Sequence, residues 1–261
     1  MGVLVTTTPM PSGLVPDELQ RMVGLVNQSD SIELKLTLPA SAYRLAAKAL
    51  EIDPLEAQIR QVFFFDTPDL ALNRAGVVTR ARRVQGRDSD SVVKLRPVIP
   101  SDLPQKYRSS PNFNVEVDAM PGGYVCSGTM KSMLPPTAVQ PSILGKRPIS
   151  KLFSKEQRSF FTTYAPEGLA IDDLSILGPI FVLKLKLRPK GYPRRLVVEM
   201  WLYPDGARVV ELSTKCLPGQ GLQVAVETRE YLAGKGIPLS GEQQTKTRTA
   251  LEFFAAELSA G

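Results

Sequence analysis

The sequence predicts a strand-rich domain, all-β or α+β, whose strands share a polar lumen. Several short segments alternate charged with aliphatic residues, and a strand places alternate side chains on opposite faces, so each segment has one ionic and one apolar face. The charges are grouped, whereas a sheet face exposed to water usually carries scattered charges of both signs. The charged sets are Glu33 and Lys35; Arg80 and Arg82; Lys94 and Arg96; Glu116 and Asp118; Lys184, Lys186 and Arg188; Arg195 and Glu199.

Composition narrows the classes of function. The 261 residues, 43% of them hydrophobic, are enough for one large core, although two domains are not excluded. A net charge of +6 favours anionic partners. The absence of histidine excludes a Ser-His-Asp triad and any histidine metal site. Two cysteines, Cys126 and Cys216, are too few for a disulfide framework, so we expect a cytoplasmic protein without a membrane span.

Turn residues divide the first half of the chain into elements. Helical spacing predicts helices over 15–28 and 40–57, on either side of a strand that ends at Pro39. Asp66, Thr67 and Pro68 predict a turn after an aromatic strand, and Gly76 interrupts the chain again before a strand pair. The predicted strands are 31–38, 61–65, 77–84, 91–97 and 112–119. Residues 1–12 are expected to be a disordered lead, and 13–261 a single domain.

The second half begins with a segment, about 121–150, in which Gly, Pro and Ser interrupt helical fragments. We interpret this segment as a helical and loop insertion. Strand patterns resume at 159–164, 181–188, 194–203 and 208–215, and a Pro-Asp-Gly turn at 204–206 joins the last two as a hairpin. Amphipathic spacing predicts two final helices over 222–232 and 241–256.

Three ordered segments resemble a known superfamily. SIELKL, then FFFDTPDLALNRAGVVTRARR, then VVKLRP resemble the CYTH superfamily, or triphosphate tunnel metalloenzymes, which includes class IV adenylyl cyclases and thiamine triphosphatases. The resemblance covers roughly 31–250 and is most specific in its middle segment. It implies an α+β protein with an eight-stranded antiparallel β-barrel that forms a tunnel, and helices packed outside. In such tunnels basic residues hold a triphosphate and carboxylates hold Mg²⁺ or Mn²⁺.

The cationic strand positions are therefore the candidate substrate-binding residues. A triphosphate carries about four negative charges, and a dry pocket can hold it only where cations replace its lost hydration. The candidates are Arg80, Arg82, Lys94, Arg96, Lys184, Lys186, Arg188, Arg195 and Lys246. For Arg188, and for Lys246 on the last helix, an exposed surface role is the alternative.

The candidate metal ligands depart from the superfamily pattern. The first strand of the superfamily reads Glu-x-Glu-x-Lys, but Ser31 stands in the first place before Glu33 and Lys35. Near the end, Ser213 replaces the last acid of a Glu-x-Glu pair. The predicted metal ligands are Glu33, Glu199, Glu211 and Glu116, with Asp118 as a further acid that could compensate. The alternative for these acids is a salt bridge to a lumen arginine. Lys35 and Glu211 are the predicted catalytic residues.

The predicted function is hydrolysis of the terminal phosphoanhydride of inorganic triphosphate or a related triphosphate, dependent on Mg²⁺ or Mn²⁺. Because two acids are missing, a tunnel that binds polyphosphate or nucleotide with weakened turnover is the first alternative. An adenylyl cyclase is the second. The expected partner is a triphosphate-containing small molecule or polyphosphate, neither nucleic acid nor membrane, and a homodimer is left open.

Overall fold

The computed structural model describes residues 16–239 and 246–260, so the predicted lead over residues 1–12 lies outside the described residues. The described chain forms a closed β-barrel with helices around it. The strands are β1 (Ser31–Leu38), β2 (Gln58–Asp66), β3 (Val77–Val84), β4 (Ser89–Leu95), β5 (Phe113–Met120), β6 (Gly123–Leu134), β7 (Ser175–Leu187), β8 (Leu196–Leu202) and β9 (Arg208–Cys216).

The barrel has nine strands and is mixed, so the prediction of eight antiparallel strands is wrong in both respects. The strand order is β1-β5-β6-β4-β3-β2-β7-β8-β9, and β9 pairs back onto β1. β1 and β5 run parallel, whereas the other pairings are antiparallel. The unpredicted strand, β6, comes from the segment that we interpreted as an insertion. Its sequence, GYVCSGTMKSML, lacks the charge alternation of the other strands, but it pairs with both β4 and β5.

Eight helices occur in the described chain. They are α1 (Pro16–Asn27), α2 (Tyr43–Ala49), α3 (Ala71–Arg74), α4 (Gln105–Arg108), α5 (Val139–Ile143), α6 (Lys155–Tyr164), α7 (Gly221–Gly234) and α8 (Lys246–Ala260). The strand predicted over 159–164 is the end of α6, because Ser154 and Gln157 form a capping box that starts a helix there. Within the described residues, none of these helices has the length and apolar character that a membrane span requires.

The hydrophobic core lies mainly between the outer barrel surface and the helices. Phe160 and Phe161 of α6 are buried in one cluster with Val93 and Met130 of the barrel. Because the apolar strand faces are covered from outside, the opposite faces enclose the lumen. Leu251 of α8 packs in another cluster with strand residues that include Trp201. α8 therefore packs directly against the strands of the barrel.

The Asp-Thr-Pro turn fixes the start of α3. The Asp66 carboxylate is buried and accepts hydrogen bonds from the backbone N–H groups of Thr67, Leu72 and Asn73 at 2.8, 2.9 and 3.0 Å. Further on, Gly76 has φ +76°, and a Cβ there would lie 2.8 Å from the carbonyl oxygen of Arg96. Gly76 also accepts a backbone hydrogen bond from Arg96 at 2.8 Å, so this glycine lets β3 approach the residue that enters the lumen after β4.

Both cysteines are buried, and we expect neither to react in the folded protein. Burial raises the pKa of Cys126 to about 11, and burial also raises the pKa of Cys216. Because the thiolate is the reactive form, a thiol reagent at pH 8 should modify neither cysteine until denaturant is added. Absorbance of released thionitrobenzoate measures this. Modification of either thiol within minutes in native buffer would contradict the prediction.

Candidate functional site

A cavity of about 990 Å³ runs into the barrel, and charged side chains form much of its wall. Among the described residues, eleven cationic and six acidic side chains line it, so the wall has an excess of positive charge. The cations are Lys35, Arg60, Arg74, Arg80, Arg82, Lys94, Arg96, Lys184, Lys215, Lys246 and Arg248; the acids are Glu33, Asp69, Glu116, Glu199, Glu211 and Glu252. Most of the alternating charged positions of the sequence thus line one space, which agrees with their period of two.

Three carboxylates meet at the parallel pairing of β1 and β5. Register places Glu33 beside Asp118, and Ser31 beside Glu116. One oxygen from each of Glu33, Glu116 and Asp118 lies within 4.8 Å of the others. We call these three residues the acidic triad. The hydroxyl of Ser31 donates a hydrogen bond to Glu116 at 3.2 Å, so a neighbouring strand supplies an acid next to the position where the first superfamily acid is missing.

Asp118 is the centre of this region and is completely buried. Lys35 lies 2.8 Å from one of its oxygens, while Arg96 and Lys94 lie 3.5 and 3.7 Å from the other. Burial alone would raise the pKa of Asp118, but attraction to Lys94, Lys35 and Arg96 outweighs it and holds the pKa well below its usual range. Burial lowers the pKa of Lys94 to about 8, against the attraction of Asp118.

The donor set of the triad fits a hard divalent cation, since Mg²⁺ and Mn²⁺ prefer carboxylate oxygens. Lys35 also lies 3.2 Å from Glu33, and Lys215 pairs with Glu116, so each acid has a cation beside it. These ion pairs fix the positions of the three carboxylates. The triad is therefore the part of the lumen that could hold a metal ion.

Glu199 and Glu211 form a separate acidic pair. They face each other in the register of β8 and β9, and the ammonium of Lys246 lies 3.0 Å from Glu199 and 2.7 Å from Glu211. Lys184 is 2.7 Å from the other oxygen of Glu199. The indole N–H of Trp201 donates to Glu199 at 3.2 Å. The structure thus divides the four predicted metal ligands into two groups, and only Glu33 and Glu116 lie in the triad.

Three arginines lie close together on β2 and β3. Arg82 holds Asp90 with two hydrogen bonds of 2.8 Å, and Arg60 donates to the amide oxygen of Gln58. Arg80 differs, because its buried Nε has no hydrogen-bond partner and its guanidinium forms no ion pair among residues 16–239 and 246–260. Burial lowers the pKa of Arg80 to about 10, and repulsion from Arg82 acts in the same direction.

Three predicted substrate-binding residues lie outside the cavity lining. Lys186, Arg188 and Arg195 are exposed around the loop between β7 and β8. β7 ends at Leu187 and β8 starts at Leu196, so Arg188 and Arg195 flank the loop beyond the paired strands. Lys186 has the alternation of Lys184 but lies too near the strand end to be enclosed. The exposed alternative stated for Arg188 agrees with this placement.

Sequence reasoning missed Arg60 and Lys215. Both lie two positions from a residue on the same strand face and so continue its alternation. Arg60 precedes Val62 on β2, and Lys215 follows Ser213 on β9. The alternation includes Arg60, but the strand was predicted to start at Gln61, three residues after its observed start at Gln58. Lys215 was within the predicted strand, and only its side chain was not recognised as facing the cavity.

Comparisons with known proteins support the fold. Neither a protein-family model nor a curated protein matches the sequence significantly. Among solved structures, a candidate adenylyl cyclase from Hippeastrum, described as having a dominant triphosphatase activity, is similar with a TM-score of 0.59 and 20% identity, covering 85% of this chain and 95% of that one. A candidate adenylate cyclase from Bacillus halodurans gives a TM-score of 0.58 and 13% identity, over 84% and 97%. The chain therefore has the tunnel fold of CYTH-type adenylyl cyclases and triphosphatases, as the motifs of its sequence predict.

Proposed function

We propose that the protein hydrolyses the terminal phosphoanhydride of inorganic triphosphate, with a divalent cation held by the acidic triad. The observation that carries the proposal is Arg80, a partly buried residue whose buried Nε has no hydrogen-bond partner and whose guanidinium forms no ion pair within residues 16–239 and 246–260. A partly buried charge without a partner is costly, so an anion in the cavity would stabilise Arg80. The triphosphatase activity described for the Hippeastrum protein of the same fold supports a phosphate chain as this anion.

The cationic wall would bind and orient the chain. Arg60, Arg80 and Arg82 offer planar forks that match phosphate oxygens, and Lys184 adds a point charge on the adjacent strand. These groups replace the hydration that the phosphates lose. They would also stabilise the charge that spreads over the equatorial oxygens in the transition state, so positioning and electrostatics would account for most of the catalysis.

The triad would supply the ligands for Mg²⁺ or Mn²⁺, namely Glu33, Glu116 and Asp118. A bound divalent ion neutralises phosphoryl oxygens and makes the terminal phosphorus more open to attack by water. Lys35 touches Glu33 and Asp118, so it acts as a positioning residue for these ligands. Glu211 would likewise position Lys246, and its assignment as a catalytic residue stays a prediction.

The lining favours an inorganic substrate over a nucleotide. Trp201 is the one aromatic side chain among the described residues of the wall, and it is buried. The ammonium of Lys246 lies 5.0 Å from the centre of its ring. A base would therefore find no free aromatic face for stacking, and we expect no cyclic AMP from ATP.

Phosphate release tests the proposal directly. With Mg²⁺ or Mn²⁺, we expect the protein to release orthophosphate from tripolyphosphate at least about tenfold faster than from ATP. The reason is that the cavity wall offers the nucleoside of ATP no contacts that would help to orient its phosphates. Glu33→Gln, which keeps size but removes a ligand charge, should lower the rate by about 100-fold. Malachite green measures the release. Tripolyphosphate turnover by the wild type no faster than by Glu33→Gln would contradict the proposal.

The missing acids at Ser31 and Ser213 favour the second candidate function, a tunnel that binds polyphosphate without turnover. This alternative predicts tripolyphosphate binding that persists in chelator, with no phosphate released in Mg²⁺ or Mn²⁺. Isothermal titration with and without EDTA, run beside the release assay, separates the two functions.

A further inference from the structure

The acidic pair, Glu199 and Glu211, already holds a cation from within the chain. The Lys246 ammonium bridges the two carboxylates at 3.0 and 2.7 Å. An ammonium has three donors, so two acids satisfy most of it. Mg²⁺ requires six ligands in near-octahedral geometry, and Ser213 stands where a further acid would be needed. The pair thus offers one carboxylate fewer than the acidic triad, and the ammonium of Lys246 already bridges both of its acids.

The position of Lys246 is fixed by packing. Lys246 is the first residue of α8, and the hydroxyl of Tyr203 donates to its carbonyl oxygen at 3.1 Å. Farther along α8, Ala250 and Leu251 are buried against the barrel. The Lys246 side chain is only 11% exposed. α8 therefore holds the ammonium of Lys246 in one position, whereas the side chain of an exposed lysine samples many conformations.

We propose that Lys246 is a built-in cation that replaces a divalent metal ion at Glu199 and Glu211, so that the tunnel binds one metal ion, at the acidic triad. The inference deepens the proposed function, and it rests on that proposal for the metal site at the acidic triad. The ammonium groups of Lys246 and Lys184 lie 3.0 and 2.7 Å from the two oxygens of Glu199, so both oxygens already have a cation from within the chain.

Removing the ammonium should create a metal site. In Lys246→Met, two facing carboxylates remain with only Lys184 beside them, and their repulsion makes an added divalent cation favourable. Titration with Mn²⁺, followed by the electron paramagnetic resonance signal of free Mn²⁺, should give one bound ion for the wild type and two for Lys246→Met. The double variant with Glu211→Gln should return to one. Arg248→Met removes an exposed cation from the same helix and should keep the wild-type stoichiometry.

A second readout is thermal unfolding. Lys246→Met should unfold at a lower temperature than the wild type in chelator, and Mn²⁺ should raise its midpoint more than that of the wild type. Lys246→Gln, which keeps hydrogen-bond donors without the charge, should behave in the same way and serves if the methionine variant does not fold.

The outcomes separate this inference from the proposed function. An unchanged stoichiometry in folded Lys246→Met and Lys246→Gln overturns the inference and leaves the triad as a metal site. No ion in the wild type, with one ion in Lys246→Met that Glu211→Gln removes, contradicts the metal site at the triad and the one-ion stoichiometry, but it supports Lys246 as the built-in cation at Glu199 and Glu211.

Discussion

Arg80→Met should make the protein more stable and nearly inactive. The partly buried Arg80 forms no ion pair among the described residues and its buried Nε has no hydrogen-bond partner, so an apolar side chain of similar length should raise the free energy of unfolding by about 1–3 kcal/mol. The same change removes a guanidinium aimed at the phosphates and should lower tripolyphosphate turnover by about 100- to 1,000-fold. Urea unfolding in chelator and phosphate release measure the two effects.

Arg83→Met is the matched control for this prediction. Arg83 lies on the same strand but faces outward, where it donates to Gln61 and Gln140. Its loss should change turnover less than about threefold, since surface substitutions act weakly. A loss of both stability and activity in Arg80→Met would show that Arg80 supports the fold and would contradict its assignment as the phosphate ligand.

Asp118→Asn should cause the largest loss of stability of any single change in the lumen. The amide would leave the charges of Lys35, Lys94 and Arg96 without their shared acid, and breaking a buried ion pair costs about 3–5 kcal/mol. Glu252→Gln, in an exposed pair with Arg248, should cost less than about 1 kcal/mol. Urea unfolding at pH 7 compares them, and equal costs would contradict the central role of Asp118.

The same residue predicts how stability depends on pH. Because the pKa of Asp118 is lowered in the folded state, its contribution is complete above the unfolded value of about 3.9 and is lost as pH falls below it. The difference between wild type and Asp118→Asn should therefore stay constant from pH 7 to about 5 and shrink in stronger acid. A difference that instead grows with acid would have the wrong sign.

The period of the strands predicted which residues face the lumen, but not how deep each one lies. Lys184 and Lys186 share a strand face, yet the first pairs with Glu199 and the second is exposed. Depth depends on where each strand ends relative to its neighbours. That stagger arises from pairing along the whole barrel, which a local pattern does not contain.

The local sequence pattern also does not predict which acids lie together in the barrel. Glu33 meets Asp118 because β1 and β5 run parallel, a contact between residues 85 positions apart. The motif at the first strand indicates only that acids are needed. Similarly, β6 carries few charges and has a glycine in its middle, so its strand character depends on the two neighbours that it joins.

Closure of the barrel by its first and last strands makes assembly of the tunnel an all-or-none event. One edge of β1 stays unpaired until β9, about 180 residues later in the chain, has been synthesised. Such distant pairings slow folding, because the entropy of closing a long loop is lost before the contacts form. A nascent chain that ends before β9 would expose Glu33 and Lys35 along an open edge, and no phosphate could be enclosed. The protein therefore acquires its charged interior only after β9 has been made.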